Sequence, residues 1–376
     1  MNEINNNRIQ ELYVNEKIEF DKTYETVVQQ LLGPTDNDDI NDNKDMIVLV
    51  IDWLHKIVDY NVRHGKRNRG LLLTVIYRVL DNSNNTTDNI SDTVYKPVDN
   101  STQLESVRVM GWVLELFQTS FVIVDDFMDN GVTRRWKPCW HLMPDVGRMV
   151  CNDSALLYTG MFHLIKLHFK DKHYYVDILE LMNESTRLTS IGQCMDTVTS
   201  NKRDISNYTF AKYSTIIKYK TSYYTFVLPV RLAMYMRGYS QASDHQLVEK
   251  ILLKIGHLFQ AQDDYIDLFV DPTHMGKTGT DIEEGKCCWP IVRALELCDD
   301  KQRQILVANV GIKNDEQSVR QVRQVYEELD LKTEFSNYEK RCLDDIKEDI
   351  NRSESLMSIP VSIFDVPLTQ IYKRNK

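Results

Sequence analysis

Apolar residues recur every three or four positions along much of this chain. Between Val109 and Met128 they fall at Met110, Val113, Leu114, Phe117, Phe121, Val124 and Met128, which is one face of a 3.6-residue helix. Similar stretches cover about 46–62, 154–170, 206–237, 246–270 and 317–329. No strand-like alternation of convincing length interrupts them, and no Gly-rich strand–turn–helix signal is present. Two segments are poor in apolar residues: 34–45 (PTDNDDINDNKD) and 81–103, rich in Asn, Asp, Ser and Thr. Both predict polar loops. The pattern as a whole predicts an all-α fold, a single-domain bundle of long helices spanning residues 1–376.

Composition narrows the class. The 376 residues are 42% hydrophobic and 27% charged, the balance of a globular protein with ample core. Only 14 Gly are present, too few for the many tight turns of a β-sandwich. With 45 basic and 55 acidic residues the net charge is -10, which speaks against a nucleic-acid partner. No run of eighteen apolar residues occurs, so no membrane-spanning helix and no stable membrane insertion are expected. The Asn-rich start, Met1 to Lys17, lacks both the apolar core of a secretion signal and the Arg and Ser of a mitochondrial presequence, which makes cytoplasm the default. The seven Cys (Cys139, Cys151, Cys194, Cys287, Cys288, Cys298, Cys342) show no C-x-x-C pair. They predict reduced, mostly buried thiols rather than disulfides or zinc ligands. Gly276-Lys277-Thr278 looks like the end of a phosphate-binding P-loop, but Asp271 stands where the motif needs Gly.

The chemistry lies in a repeated constellation. Asp125-Asp126-Phe127-Met128-Asp129 closes one strongly periodic stretch, and Asp263-Asp264-Tyr265-Ile266-Asp267 closes another. Asp at i, i+1 and i+4 puts at least two carboxylates on one helix face. A single copy is as easily a solvated acidic helix end. Two copies between apolar flanks are costly unless a cation compensates them. Carboxylate oxygens without His or Cys suit a hard cation, and Mg²⁺ commonly binds through one or two carboxylates plus substrate phosphate oxygens. Two such clusters on facing helices would grip a diphosphate. Basic residues complete the set: Lys66, Arg67 and Arg69 in GKRNRG, Arg134-Arg135, Lys218 and Lys220 in KYKT, Lys277, and Lys286. Each alone is an ordinary surface residue. Grouped around two acidic clusters, they point to a polyphosphate substrate.

These residues in this order resemble the trans-isoprenyl diphosphate synthases, most closely the animal farnesyl diphosphate synthase branch. DDFMDNGVTRR is similar to the first aspartate-rich motif, and FQAQDDYIDLFVDP (Phe259 to Pro272) to the second. GKRNRG, KYKT, GKTGTDIEEGKCCW and a basic tail YKRNK follow the family's order over nearly the whole chain. The resemblance implies an isoprenoid synthase type I-like bundle around a central cavity, and a homodimer. It implies a prenyltransferase that joins isopentenyl diphosphate to an allylic diphosphate (dimethylallyl, geranyl) to give farnesyl diphosphate. Three Mg²⁺ ions would be held by Asp125, Asp126, Asp129, Asp263, Asp264 and Asp267. Arg134, Lys220, Lys277 and Lys286 would assist with the allylic diphosphate. Lys220, Thr221 and Gln260 match residues near the allylic cation. Lys66, Arg69, Gln118 and Arg135 match the isopentenyl diphosphate pocket, and Gln193 and Asp196 match a G-Q-x-x-D element lining the cavity.

Three positions depart from the family pattern. Ser120 and Phe121 stand where two adjacent aromatics usually limit chain length, which leaves a twenty-carbon, geranylgeranyl product open. Trp136 stands where Gly usually follows the paired Arg, and His141 where Tyr is common. Insect terpene synthases that resemble this branch ionise and cyclise a prenyl diphosphate instead of extending it. They are free to lose Lys66, Arg69 or Arg135, all of which are retained here. A helical scaffold without activity is a third reading, opposed by the six intact aspartates.

Overall fold

The computed structural model describes residues 3–31, 44–83, 101–270 and 279–372. Helices dominate, as the periodicity predicts. In chain order the first ten are α1 (Glu3–Lys22), α2 (Tyr24–Gln30), α3 (Lys44–Asn61), α4 (Asn68–Ser83), α5 (Ser101–Met128), α6 (Val150–Phe169), α7 (Tyr175–Lys202), α8 (Phe210–Ile217), α9 (Leu228–Met236) and α10 (Ala242–Phe269). Shorter helices and the long Leu331–Ser353 helix complete the chain. The one sheet among the described residues is a hairpin, β1 (Thr133–Arg134) against β2 (Lys137–Pro138). Strands this short carry no alternation to read. Most of the two polar segments, 34–43 and 84–100, lies outside the described residues. Their edges are helical: α3 begins at Lys44, α4 runs to Ser83 and α5 begins at Ser101.

The chain divides into two compact units. The first comprises residues up to Glu180 with Pro229–Ser240. Its centre is α5, packed on α4 and α6. Val109, Met110, Trp112, Val113, Leu114, Leu116 and Phe117 are all at least 99% buried. A helix apolar on every side must be covered on every side. By length and hydropathy Thr102–Met128 would serve as a membrane span, contrary to the count of apolar runs. In fact 72% of that window is buried inside protein, so it is a core helix. Phe20 of α1 stacks on Trp112 at 4.5 Å, and the indole donates to the Phe20 carbonyl and the Thr23 hydroxyl. That approach needs Gly111, where a Cβ would lie 2.5 Å from the Phe20 ring.

The second unit comprises Leu181–Leu228 and the residues from Gln241 onward. Its core gathers Tyr213, Trp289, Val322, Tyr326 and Leu331, with Phe335 wedged between Tyr265 and Trp289. Between α8 and α9 the helix widens to i→i+5 bonding over Lys218–Val227, a rare form that concentrates at functional sites. Two glycines admit it. A Cβ on Gly192 of α7 would lie 2.1 Å from the Lys220 nitrogen, and one on Gly256 of α10 would lie 2.6 Å from Ser222 Cβ.

The cysteine expectation holds in part. Cys139, Cys287 and Cys288 are buried, Cys298 and Cys342 half-buried, but Cys151 and Cys194 are exposed, and none is disulfide-bonded. Burial pushes the Cys139 and Cys287 thiols up to about 12, which makes them inert.

Candidate active site

The first aspartate motif closes α5. Asp129 N–H still donates to the Asp125 carbonyl at 2.9 Å, and Gly131 N–H to that of Asp126 at 2.8 Å. The hairpin then folds Arg134 back onto the motif. Its Nε donates to both Asp126 oxygens at 3.1 Å, and Nη2 joins them. Burial works against the Arg134 charge, but Asp126, and then Asp125, outweigh it and hold the guanidinium charged. The next two residues turn the hairpin with left-handed backbone, Arg135 at φ 54° and Trp136 at φ 67°.

Arg135 donates to the Asn61 carbonyl at 2.6 Å. Burial lowers its pKa, Glu115 opposes that, and Arg134 and Arg69 add to the lowering. So Arg69, Arg134, Arg135 and Glu115 are electrostatic neighbours. Glu115, 4% exposed, accepts from the Arg69 and Gly70 N–H groups at 3.1 and 2.9 Å. These are donors of the first turn of α4, where a carboxylate is favoured. Sequence reasoning missed Glu115 because nothing in α5 marks one Glu as a cap for a helix 45 residues away. Lys66 is exposed and Gln118 half-buried.

The second motif closes α10. Asp264 is buried and accepts three hydrogen bonds: Tyr213 Oη at 2.7 Å, Trp289 N–H at 2.9 Å and Gln260 Nε2 at 2.8 Å. Burial pushes its carboxyl up to about 6, against the pull of those donors. Gln260 Oε1 in turn accepts from the Thr221 hydroxyl at 2.9 Å. Asp196 of α7 gathers two lysines, Lys220 at 2.6 Å and Lys286 at 2.9 Å. Burial raises the Asp196 pKa, and the two ammoniums outweigh it, holding the carboxyl below its ordinary value. Asp264, Asp267, Asp281, Glu283 and Lys286 border a narrow cleft. Asp281 is a further residue that sequence reasoning passed over, though it sits in the quoted GKTGTDIEEGK motif.

Comparison with known proteins fits this geometry. A family model described as polyprenyl synthetase matches residues 51–329. Farnesyl pyrophosphate synthase of Saccharomyces cerevisiae is 37% identical over 327 residues, covering 86% of this chain and 90% of the yeast protein. That of Rattus norvegicus is 38% identical over 325 residues, covering 86% and 88%. Among solved structures, T. brucei farnesyl diphosphate synthase complexed with a bisphosphonate superposes at a TM-score of 0.84 with 30% identity, covering 96% of this chain and 99% of that one.

This chain belongs to the polyprenyl synthetase family. It is a prenyltransferase with the all-α isoprenoid synthase fold. Within that family frame, the structure places most of the expected residues. In the first unit it joins Arg134 to Asp126 and sets Arg135 beside Arg69. In the second it joins Lys220 and Lys286 through Asp196, and Thr221 to Gln260. Gln193 lies half-buried one residue after Gly192, on the helix that meets Lys220. Ser120 is buried and folds its hydroxyl back onto the Phe117 carbonyl at 2.8 Å, while Phe121 lies 5.1 Å from Phe117. Lys277 and the last four residues of the YKRNK tail lie outside the described residues.

The donor set suits a hard divalent cation. Among the described residues no three His, Cys, Asp or Glu side chains form a ready-made chelate. A family that uses a divalent metal with a diphosphate does not need one, because substrate oxygens and water complete the shell.

Proposed function

We propose that this prenyltransferase makes farnesyl diphosphate, by joining isopentenyl diphosphate head to tail with dimethylallyl and then geranyl diphosphate. The observation that carries this reading is the basic cluster of the first unit. Arg69 and Arg135 share the field of Glu115, next to Arg134, which is bound to Asp126. A cyclising enzyme needs one diphosphate site, and this chain retains cations for two.

Mg²⁺, three ions by likeness to the family, would be held by Asp125, Asp126, Asp129, Asp263, Asp264 and Asp267, with Asp281 as an added candidate. Bound there, it would neutralise the departing diphosphate. Asp126 accepts from Arg134, and Asp264 from Tyr213, Trp289 and Gln260; these bonds fix the two motifs in place. Arg134, Lys220, Lys277 and Lys286 bind the allylic diphosphate oxygens. The C1–O bond breaks with its electron pair leaving on oxygen. Lys66, Arg69, Gln118 and Arg135 hold isopentenyl diphosphate so that its double bond forms the new C–C bond to the allylic cation. The proton then lost goes to the departed diphosphate. Thr221 and Gln260 present oxygen dipoles to the cation, and the apolar helices exclude water that would quench it.

The match over 51–329 crosses both units, which supports one synthase domain; likeness to the family supports a homodimer. Incubation with dimethylallyl and isopentenyl diphosphates plus Mg²⁺ should yield a fifteen-carbon diphosphate. Hydrocarbon formed from farnesyl diphosphate alone, without elongation, would establish the cyclase reading instead. A twenty-carbon product would trace to Ser120, and Ser120→Phe should then shorten it.

A further inference from the structure

Four side chains of the second unit form one directed chain of hydrogen bonds. Asp264 receives Tyr213 Oη and the Trp289 N–H on one oxygen and Gln260 Nε2 on the other. A carboxylate with three donors only accepts. It therefore dictates which way the Gln260 amide lies: NH2 toward Asp264, oxygen toward Thr221. The Thr221 hydroxyl has one proton, and the Gln260 oxygen takes it at 2.9 Å. What remains on the Thr221 oxygen is acceptor capacity alone.

Tyr213 is almost wholly buried. Its ring is fixed edge-on by Phe210 at 5.7 Å and by His257 at 5.5 Å. It stands eight residues before Thr221 and outside every motif that the sequence presents. A hydroxyl so placed is a costly way to fill a core unless its donor is used.

We propose that Tyr213 is a positioning residue: by occupying Asp264 Oδ2 beside the Trp289 N–H it holds Oδ1 on Gln260 Nε2, and so keeps Thr221 turned with only oxygen lone pairs toward the allylic cation. This rests on the proposed function, which puts Thr221 beside that cation. Were the amide reversed, Thr221 would turn a proton toward positive charge and work against ionisation. The arrangement is set in advance and needs no reorientation when charge develops.

The test compares two unreactive dimethylallyl diphosphate analogues by calorimetry with Mg²⁺. One carries a protonated nitrogen where the cation forms; the other is an uncharged thiolo-diphosphate. Wild type should prefer the cationic analogue. Tyr213→Phe should keep its affinity for the thiolo-diphosphate within about twofold and lose about tenfold for the cationic one. Its kcat should fall by a similar factor at unchanged allylic KM. Equal losses for both analogues, or no loss, would overturn the relay. If Tyr213→Phe loses its helical circular dichroism, Gln260→Leu provides the same comparison with the ring and the aspartate motif intact, because the Thr221 hydroxyl then loses the acceptor that holds its proton. Failure of wild type to bind either analogue would instead overturn the proposed function.

Discussion

The two aspartate motifs have nearly the same sequence and are secured by opposite means. In the first unit a charged fork grips the middle aspartate: Arg134 spans both oxygens of Asp126. In the second unit the middle aspartate is held by neutral donors, a phenol, an amide and a backbone N–H. The first clamp stands on a loop, a four-residue ladder just past the end of α5. The second stands within packed helices and an aromatic core. In the charge pair Asp126 is buried, and only the Arg134 side keeps contact with water, which shares part of the cost. A buried carboxylate without a cation needs every lone pair occupied. One motif is thus held by electrostatics and the other by packing, and each should fail in its own way.

The largest effect tests what the motifs share. Asp125→Ala or Asp263→Ala should each lower kcat by about three orders of magnitude, since metal-assisted stabilisation of a leaving group is worth several kcal/mol. Steady-state rates at saturating Mg²⁺ read this directly. Near-wild-type turnover in either variant would remove that motif from the chemistry and leave the comparison one-sided.

Acid should distinguish the packed clamp. His257, against Tyr213, is held neutral by burial, with its pKa lowered to about 4. The unfolded chain takes up this proton near pH 6.5 and the folded chain refuses it until about 4. The contribution is therefore full above pH 6.5 and is lost as pH falls through that window. Asp264, raised to about 6, acts with the opposite sign, so the wild-type profile alone mixes the two. The difference between wild type and His257→Gln isolates the histidine. The variant should gain about 3 kcal/mol relative to wild type between pH 7 and pH 4 by denaturant melts. A difference independent of pH would mean that the imidazole is solvated.

Arg134→Lys should probe the charged clamp alone. The substitution keeps the charge and loses the fork, which should cost about 2 kcal/mol, or roughly thirtyfold in kcat/KM. Added salt should deepen the loss, because the remaining point-charge pair is partly screened. Wild-type kinetics in the Lys variant would make Asp126 as insensitive to charge geometry as Asp264.

How much of this was readable beforehand follows the same division. Whatever depends on spacing along one helix was legible. The faces of α5, α6 and α10 and both motifs at helix ends follow from a 3.6-residue period, and the need for cations follows from like-charge repulsion; which basic residues supply them comes from their grouping and from the family resemblance. Whatever depends on distant residues meeting was not. Gly192 has no mark in sequence as the point where Lys220 closes in, and Tyr213 reads as one more aromatic in an apolar stretch. The i→i+5 widening at Lys218–Val227 leaves no periodic trace, because it is decided by what packs on either side. Helices α1, α4 and α7 were also not singled out: burial in α1 and α7 is patchy and interspersed with polar residues, including the enclosed Glu16, which Arg78 and Arg108 neutralise, whereas α4 is buried almost throughout, so its continuous apolar run shows no single face.

The smallest effect concerns the loop that carries the charged clamp. Register Arg134↔Lys137 leaves Arg135 and Trp136 as a two-residue turn, both with positive φ. Such turns favour Asn-Gly, because a Cβ in left-handed backbone is strained by about 1–2 kcal/mol. Trp136 is 65% exposed, so removing its ring sacrifices little burial. Trp136→Gly should relieve the strain, less the extra chain entropy that glycine brings, for a net gain of about 1 kcal/mol. In a protein of this size that is a rise of a degree or two in the thermal midpoint. A lower midpoint would show that the indole stabilises the hairpin by a contact worth more than the strain, and that the charged clamp relies on packing as well.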